Sequence, residues 1–555
     1  MWGAPDACVV KMLGNRRNYA FRLRPAFAGR RRFASEKERR MSPIKHPSYH
    51  AYSDPQKIAY QMADTGEALT YAELDAASNR GAQLLRASGL VHGDHIAMLL
   101  ENSLDFFRVA WSAQRSGIYY TAISTHLKAD EIAYILSDCE AKVLFISSTL
   151  IGLLAEIPHV PAGLRIIVAG SRVDGYEFLD DVLAAQPATP ISDEIVGSDM
   201  LYSSGTTGRP KGVTLALKYE PLGTLMPLMA ILGEKMCGFD ADTIYLSPTP
   251  LYHAAPLRFA MLCGSVGGTT IVMRKFDAEA FLRLVSEHRI THSQVVPTMF
   301  VRLLKLEPEV RARYDCSSLR TVVHAAAPCP ADVKEAMIAW WGPILIEYYA
   351  GTEANGVTII DSHEWSSHRG SVGRAVVGSI KILGEDREAE PLPPRTVGDV
   401  FFADGPTFSY RNAPEQTASA HNGKGWSTLG DVGYLDEDGY LYLTDRKSYT
   451  IITGGVNVYP QETENVLVGH PSVMDAAVFG IPNREMGEEV KAVVQLAAGE
   501  TPSDELAQAL IDYCKERISA IKCPRTVDFV TEMPRTATGK LVKRQLRDPY
   551  WAKTA

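Results

Sequence analysis

Apolar positions along this chain alternate between two rhythms: short continuous runs, and longer stretches in which apolar residues recur three and four apart. Leu69-Thr70-Tyr71-Ala72-Glu73-Leu74 opens the first helical stretch. Thr70 can cap that helix and Glu73 can reach back to it, a capping box. Ala77, Leu84 and Leu85 continue the apolar face to a stop at Gly89. His95–Leu100 is then a short apolar run, Leu104–Ser116 a helix, and Lys142–Ile146 and Arg165–Ala169 are buried strands. Strands alternating with helices predict parallel, doubly wound α/β layers. A strand over Asp242–Leu246 runs into Ser247–Pro256, whose prolines mark a fixed loop rather than a helix. Asp436–Gly439 predicts a hairpin turn and Tyr440–Thr444 its returning strand. From about residue 448 the pattern becomes that of a small α+β domain. It has strands over Ala476–Gly480 and Glu489–Leu496, a helix starting at Pro460 and an amphipathic helix over Asp504–Ile518.

Size and charge narrow the picture modestly. A chain of 555 residues can bury a large core and predicts several structural units. A net charge of -8 gives no footprint for nucleic acid, and no apolar run is long enough for a membrane span. The eight cysteines stand singly, without a Cys-x-x-Cys pair, which points to a reducing, cytoplasmic setting without a disulfide framework or zinc site. Residues 1–40 differ, with eleven Lys/Arg against three Asp/Glu. Such a start reads either as an organelle-targeting segment or as translated upstream sequence ahead of a start at Met41. The second is preferred, and the segment is expected to be disordered.

The chemistry concentrates first at Tyr202-Ser203-Ser204-Gly205-Thr206-Thr207-Gly208-Arg209-Pro210-Lys211-Gly212. Glycines let the backbone turn tightly beside an anion, and successive N–H groups in such a turn form a nest for phosphate oxygens. The hydroxyls add donors and Lys211 a mobile charge. The nucleoside-triphosphatase loop is excluded, because Lys211 is followed by Gly212 rather than Ser or Thr. Downstream, in order, stand Tyr252-His253, Val295-Val296-Pro297-Thr298-Met299-Phe300, His324-Ala325-Ala326-Ala327-Pro328, Tyr349-Ala350-Gly351-Thr352-Glu353, Gly430-Asp431, Arg446, Gly454-Gly455-Val456-Asn457 and Pro534-Arg535-Thr536-Ala537-Thr538-Gly539-Lys540.

Taken together, these stretches resemble the motifs of the adenylate-forming superfamily of AMP-dependent acyl-CoA synthetases, in the family's order from residue 202 to 540. The resemblance is greatest to bacterial ligases of the fatty-acid and bile-acid type. It implies a large AMP-binding domain over 41–446 and a smaller, mobile domain over 447–555. It also implies ATP, Mg²⁺ and coenzyme A as cofactors, a small carboxylic acid as substrate, and a possible homodimer. Ser203, Ser204, Gly205, Thr206, Thr207, Gly208 and Lys211 would cradle the phosphates, with Ala326, Ala327, Tyr349 and Thr352 around adenine and the α-phosphate. Asp431 would accept from both ribose hydroxyls, and Arg446 would contact ribose and phosphate. Glu353, with Thr206, would hold Mg²⁺, a hard cation wanting oxygen ligands. Lys540 would be the catalytic lysine. Tyr252, His253, Met299, Ala325, Ala350 and Gly351 would border the acid, with His253 orienting a carboxylate that needs no deprotonation at neutral pH. Gly454, Gly455 and Asn457 would meet the pantetheine arm.

Three departures from the family pattern stand out. His324 and Ala325 replace the commoner Ser-Gly, Ala350 replaces Gly, and Ser448 stands where the hinge carries Asp or Lys. The implied reaction converts a long or bulky hydrophobic acid to an acyl-AMP and then to a CoA thioester. A hydroxycinnamate-type acid, a separate carrier protein as acceptor and a catalytically silent sensor are the alternatives. A light-emitting oxygenase shares the first half-reaction, but no residue selects for it. Fold alone does not separate these.

Overall fold

The computed structural model describes residues 45–203, 210–446, 449–453, 456–535 and 541–552, without the side chains of Asp445, Arg446 and Asn457. The basic start, the cradle residues Ser204, Gly205, Thr206, Thr207 and Gly208, the hinge position Ser448, Gly454, Gly455 and Lys540 lie outside them.

A large α/β domain is followed by a smaller one. Two sheets dominate the large domain. One has six strands, all parallel, in the order Glu177–Phe178, Arg165–Ala169, Val143–Ser147, His95–Leu99, Tyr119–Ala122, Ser198–Asp199. The other has nine, with Thr269–Val272, Ile244–Ser247, His292–Val295, Thr321–His324 and Leu345–Tyr349 running parallel side by side. Parallel strands need helical crossovers that cover both faces. The helix Tyr71–Ala87 begins as its sequence requires: Thr70 Oγ1 accepts from Glu73 N at 3.2 Å, and Glu73 Oε2 accepts from Thr70 N at 2.9 Å. It closes at Gly89, whose φ of +78° is left-handed.

A four-stranded antiparallel sheet, Ser379–Leu383, Gly398–Ala403, Ser427–Leu435 and Leu441–Arg446, carries Asp431 opposite Arg446. The small domain is built on the long hairpin of Val473–Asn483 and Gly487–Leu496, flanked by Pro460–Val468 and Asp504–Lys515. Among the described residues no helix is long and apolar enough to cross a membrane, and the seven described cysteines are free.

One expectation needs correcting. Ser247–Pro256 is not wholly loop, because a helix starts at Ala254 with His253 as its N-cap. Pro256 falls in the first turn, where a missing N–H costs no intrahelical bond.

Candidate active site

The predicted residues are brought to one cavity of about 1490 Å³ at the carboxyl ends of the parallel strands, where ligands of open α/β sheets bind. Ser203, Lys211, Tyr252, His253, Ala325, Ala326, Ala327, Tyr349, Ala350, Gly351, Thr352, Glu353 and Asp431 all border it. Most of these residues, far apart in the chain, meet there because they sit at a strand end or just beyond one, whereas Asp431 reaches it from the middle of the strand Ser427–Leu435.

Tyr410, which the sequence motifs did not single out, joins Glu353 and Lys211. Its hydroxyl donates to Glu353 Oε1 at 3.0 Å, and Lys211 Nζ lies 4.9 Å from its ring centre. One residue thus holds the carboxylate at its hydroxyl and the cation over its ring. Glu353 is buried. A Cβ on Gly351 would come within 2.6 Å of Glu353 Oε2, so this glycine gives the carboxylate its room. A lone buried carboxylate suits Mg²⁺, which takes one or two protein oxygens and completes its shell with water and nucleotide phosphate. At Asp431, the Tyr349 hydroxyl donates to Oδ2 at 2.6 Å, and the Tyr349 ring is inclined by 26° to that of Phe402 with centres 6.1 Å apart. Tyr349 therefore fixes the Asp431 carboxylate while its ring borders the cavity. Ala326 holds a left-handed φ of +75°, a conformation that costs a non-glycine residue about 1 kcal/mol or more.

His324 is fully buried beside a second cluster. Lys334 Nζ pairs with Glu347 Oε2 at 2.6 Å and lies 4.8 Å from the Trp365 ring centre. His324 Nε2 stands 3.8 Å from the same carboxylate oxygen, beyond hydrogen-bond reach. Burial, then the Lys334 charge, keeps its imidazole well below the usual histidine range and so neutral.

The acid side is lined by Leu228, Met229, Leu232, Phe259 and Val296 around Tyr252, His253, Ala325 and Ala350. Leu232 belongs to a π-wound segment, Ala230–Met236, an irregularity common at functional sites. Met299 is a correction. It packs in the core with Leu246, Phe300 and Leu303, while Thr298, Val301 and Arg302 of the same helix border the cavity. The 3.6-residue period turns Met299 inward.

The segment bearing Lys540 is anchored on both flanks. Arg535 grips Asp475 with two nitrogens, Lys543 pairs with Glu464 at 2.8 Å, and Val542 N donates to Pro534 O at 2.7 Å. Leu541, Val542 and Lys543 border the cavity. The strands flanking Gly454 and Gly455 pair with Thr453 opposite Val456.

This geometry is that of an enzyme that binds a nucleotide beside an acid, and the chain belongs to the AMP-binding enzyme family. The AMP-binding enzyme model matches residues 48–409 and the AMP-binding enzyme C-terminal domain model residues 462–540. The chain is accordingly an acid–thiol ligase working through an acyl adenylate, in a class that uses ATP, Mg²⁺ and coenzyme A. It is similar to a fatty acid–[acyl-carrier-protein] ligase of Streptomyces coeruleorubidus, 32% identical over 92% of this chain and 97% of that one. It is also similar to a long-chain-fatty-acid–CoA ligase of Mycobacterium tuberculosis, 32% identical over 90% and 96%. A feruloyl-CoA synthase of Amycolatopsis is 33% identical over 87% and 94%. Among solved structures, an anthranilate CoA ligase in complex with anthranoyl-AMP superposes with a TM-score of 0.79, at 26% identity over 93% and 98%.

Proposed function

We propose that this enzyme activates a long or bulky hydrophobic carboxylic acid and passes it to coenzyme A, with a domain boundary at 446/447. The observation that carries the reading is the single cavity bordered by Lys211, Thr352, Glu353 and Asp431 at one end and by Leu228, Met229, Leu232 and Phe259 at the other. The acid's carboxylate attacks the α-phosphorus, the bond to the bridging oxygen breaks, and pyrophosphate leaves. Negative charge gathers on the leaving oxygens, where Lys211 and the cradle would hold the β and γ phosphates, while Lys540 would supply positive charge to the carboxylate and α-phosphate side. Glu353 would hold Mg²⁺, whose charge neutralises the phosphates when bound. Asp431, oriented by Tyr349, would fix the ribose, and Arg446 would support it. The small domain then turns, withdraws Lys540 and brings Gly455 to the pantetheine arm. The thiol attacks the acyl carbonyl and AMP leaves, so one site serves two geometries in turn.

Two second readings each have a specific support. The Streptomyces relative is named for a carrier-protein acceptor, and the Amycolatopsis relative for an aromatic acid. The test is AMP release with ATP and CoA across saturated acids of rising length, a steroid side-chain acid, coumarate and ferulate. AMP release with a CoA thioester on the hydrophobic acids is expected. Turnover confined to coumarate and ferulate would overturn the acid assignment. AMP release without any thioester would move the acceptor to a carrier protein.

A further inference from the structure

The acid side of the cavity is not uniformly apolar. Gln294 borders it and is only 1% exposed. Its amide nitrogen donates to Val295 O at 3.0 Å. That bond fixes the orientation of the amide, because a reversed group would set two oxygens against each other. Its Oε1 then has no hydrogen-bond partner. A buried acceptor without a donor is costly, and native structures keep such atoms rarely and for a reason.

The sheet register shows what surrounds it. Gln294 pairs with Val323, and Val323 with Ile346, so Tyr348, two residues further on, shares that face. Tyr245 pairs with His292 in parallel, which puts Tyr245 and Ser247 on the face of Gln294 as well. Tyr348, Phe259 and Arg258 border the same cavity, and Arg258 is itself neutralised by Asp199 at 2.8 Å. An acyl chain lying along Leu232 and Phe259 would therefore meet, on a face that also carries the hydroxyl-bearing side chains of Tyr348 and Ser247, an oxygen acceptor without a donor.

We infer that the acid carries a hydroxyl on its acyl body, and that Gln294 Oε1 accepts from it. The inference rests on the acid-activating reading above and narrows it from hydrophobic acids at large to hydroxylated ones. Gln294 would then be a specificity-determining residue. A site built to accept from a hydroxyl discriminates strongly against the analogue lacking it, because the buried oxygen is left unpaired. A hydrocarbon tail offers no such donor.

The experiment compares matched acids in ATP-dependent pyrophosphate release. The pairs are decanoate with ω-hydroxydecanoate, phenylpropanoate with its para-hydroxy form, and a steroid side-chain acid with and without ring hydroxyls. The hydroxylated member of at least one pair is expected to have the higher kcat/KM by about tenfold or more. Gln294→Met, nearly isosteric, is expected to erase that preference by bringing kcat/KM for the hydroxylated acid down to that of its plain partner, since the buried acceptor is gone and an apolar contact takes its place. Equal or better use of the plain acid in every pair would overturn the inference and mean that a water serves Gln294. A hydroxyl preference that survives in Gln294→Met would overturn it too. Should Gln294→Met not fold, the matched pairs on the unaltered enzyme decide alone. Failure of the broader reading looks different, with no pyrophosphate from any acid.

Discussion

Gly351 shows how a single missing methyl group can govern a buried carboxylate, here one proposed to hold Mg²⁺. The Cβ of Gly351→Ala would fall 2.6 Å from Glu353 Oε2 and 2.8 Å from Leu429. The lighter obstacle is the carboxylate, so Glu353 should move and lose its hydrogen bond from Tyr410. A displacement of this kind typically costs about 100-fold in rate; adenylation should fall by about that much, with thermal stability little changed. Pyrophosphate exchange and a melting curve measure the two, and a normal exchange rate would show that Glu353 needs no such room. Ala326 makes the opposite case. Its φ of +75° is one that glycine adopts freely, so Ala326→Gly should raise stability by up to about 1 kcal/mol. A fall in the denaturant midpoint would mean that the methyl contributes more by packing than the backbone loses by strain. These residues were legible in the sequence because their chemistry lies in contiguous runs. Tyr410 was not, since it stands 57 residues from Glu353 and only the fold joins them. Gln294 gave one signal, a polar residue in the buried run His292–Val295, but its free oxygen depends on a neighbour's carbonyl that no pattern displays.

At the scale of elements, the strands and helices follow from period and caps, and the errors came where two patterns overlapped. The prolines after Ser247 suggested loop, yet Pro256 is compatible with a first turn. Met299 sits in a helix whose polar side, not its apolar side, borders the cavity. Three buried histidines stand at element starts: His46 caps the helix Pro47–Ser53, and His95 and His292 begin parallel strands. Burial chiefly lowers all three, to about 3 for His46 and about 4 for His95 and His292, with the Arg411 charge adding to the effect at His95. Because folding lowers the pKa of these bases, the unfolded chain binds more protons between roughly pH 6.5 and 4. Stability should therefore be full above about pH 6.5 and fall steadily as pH drops towards 4. Denaturant midpoints across that range test it. His292→Gln should flatten part of the slope, and an unchanged slope in that variant would remove His292 from the account.

Across the whole molecule, the two domains share the cavity, and their contacts bear on which half-reaction the arrangement serves. Leu541, Val542 and Lys543, which follow Lys540, border the same space as Thr352 and Glu353, and under the proposed reaction that is the arrangement of the adenylation half. One polar tie across the domains is Lys305, at the end of the helix Pro297–Leu304, whose Nζ donates to Val473 O at 2.5 Å. Burial lowers the Lys305 pKa, and Asp475 works against that shift. A bond made in only one of two domain arrangements stabilises that arrangement alone, and its removal shifts the balance by its own differential strength. For a hydrogen bond from a charged donor that is about 1.5–3 kcal/mol at most. Lys305→Met keeps the stem and removes the donor. It should slow acyl-AMP formation by no more than about 10- to 150-fold, while thioester formation from supplied acyl-AMP stays equal or quickens. Separate assays of the two half-reactions resolve this. Equal slowing of both would mean that Lys305 supports the fold rather than the arrangement, and slowing of the thioester step alone would assign this arrangement to thiol transfer.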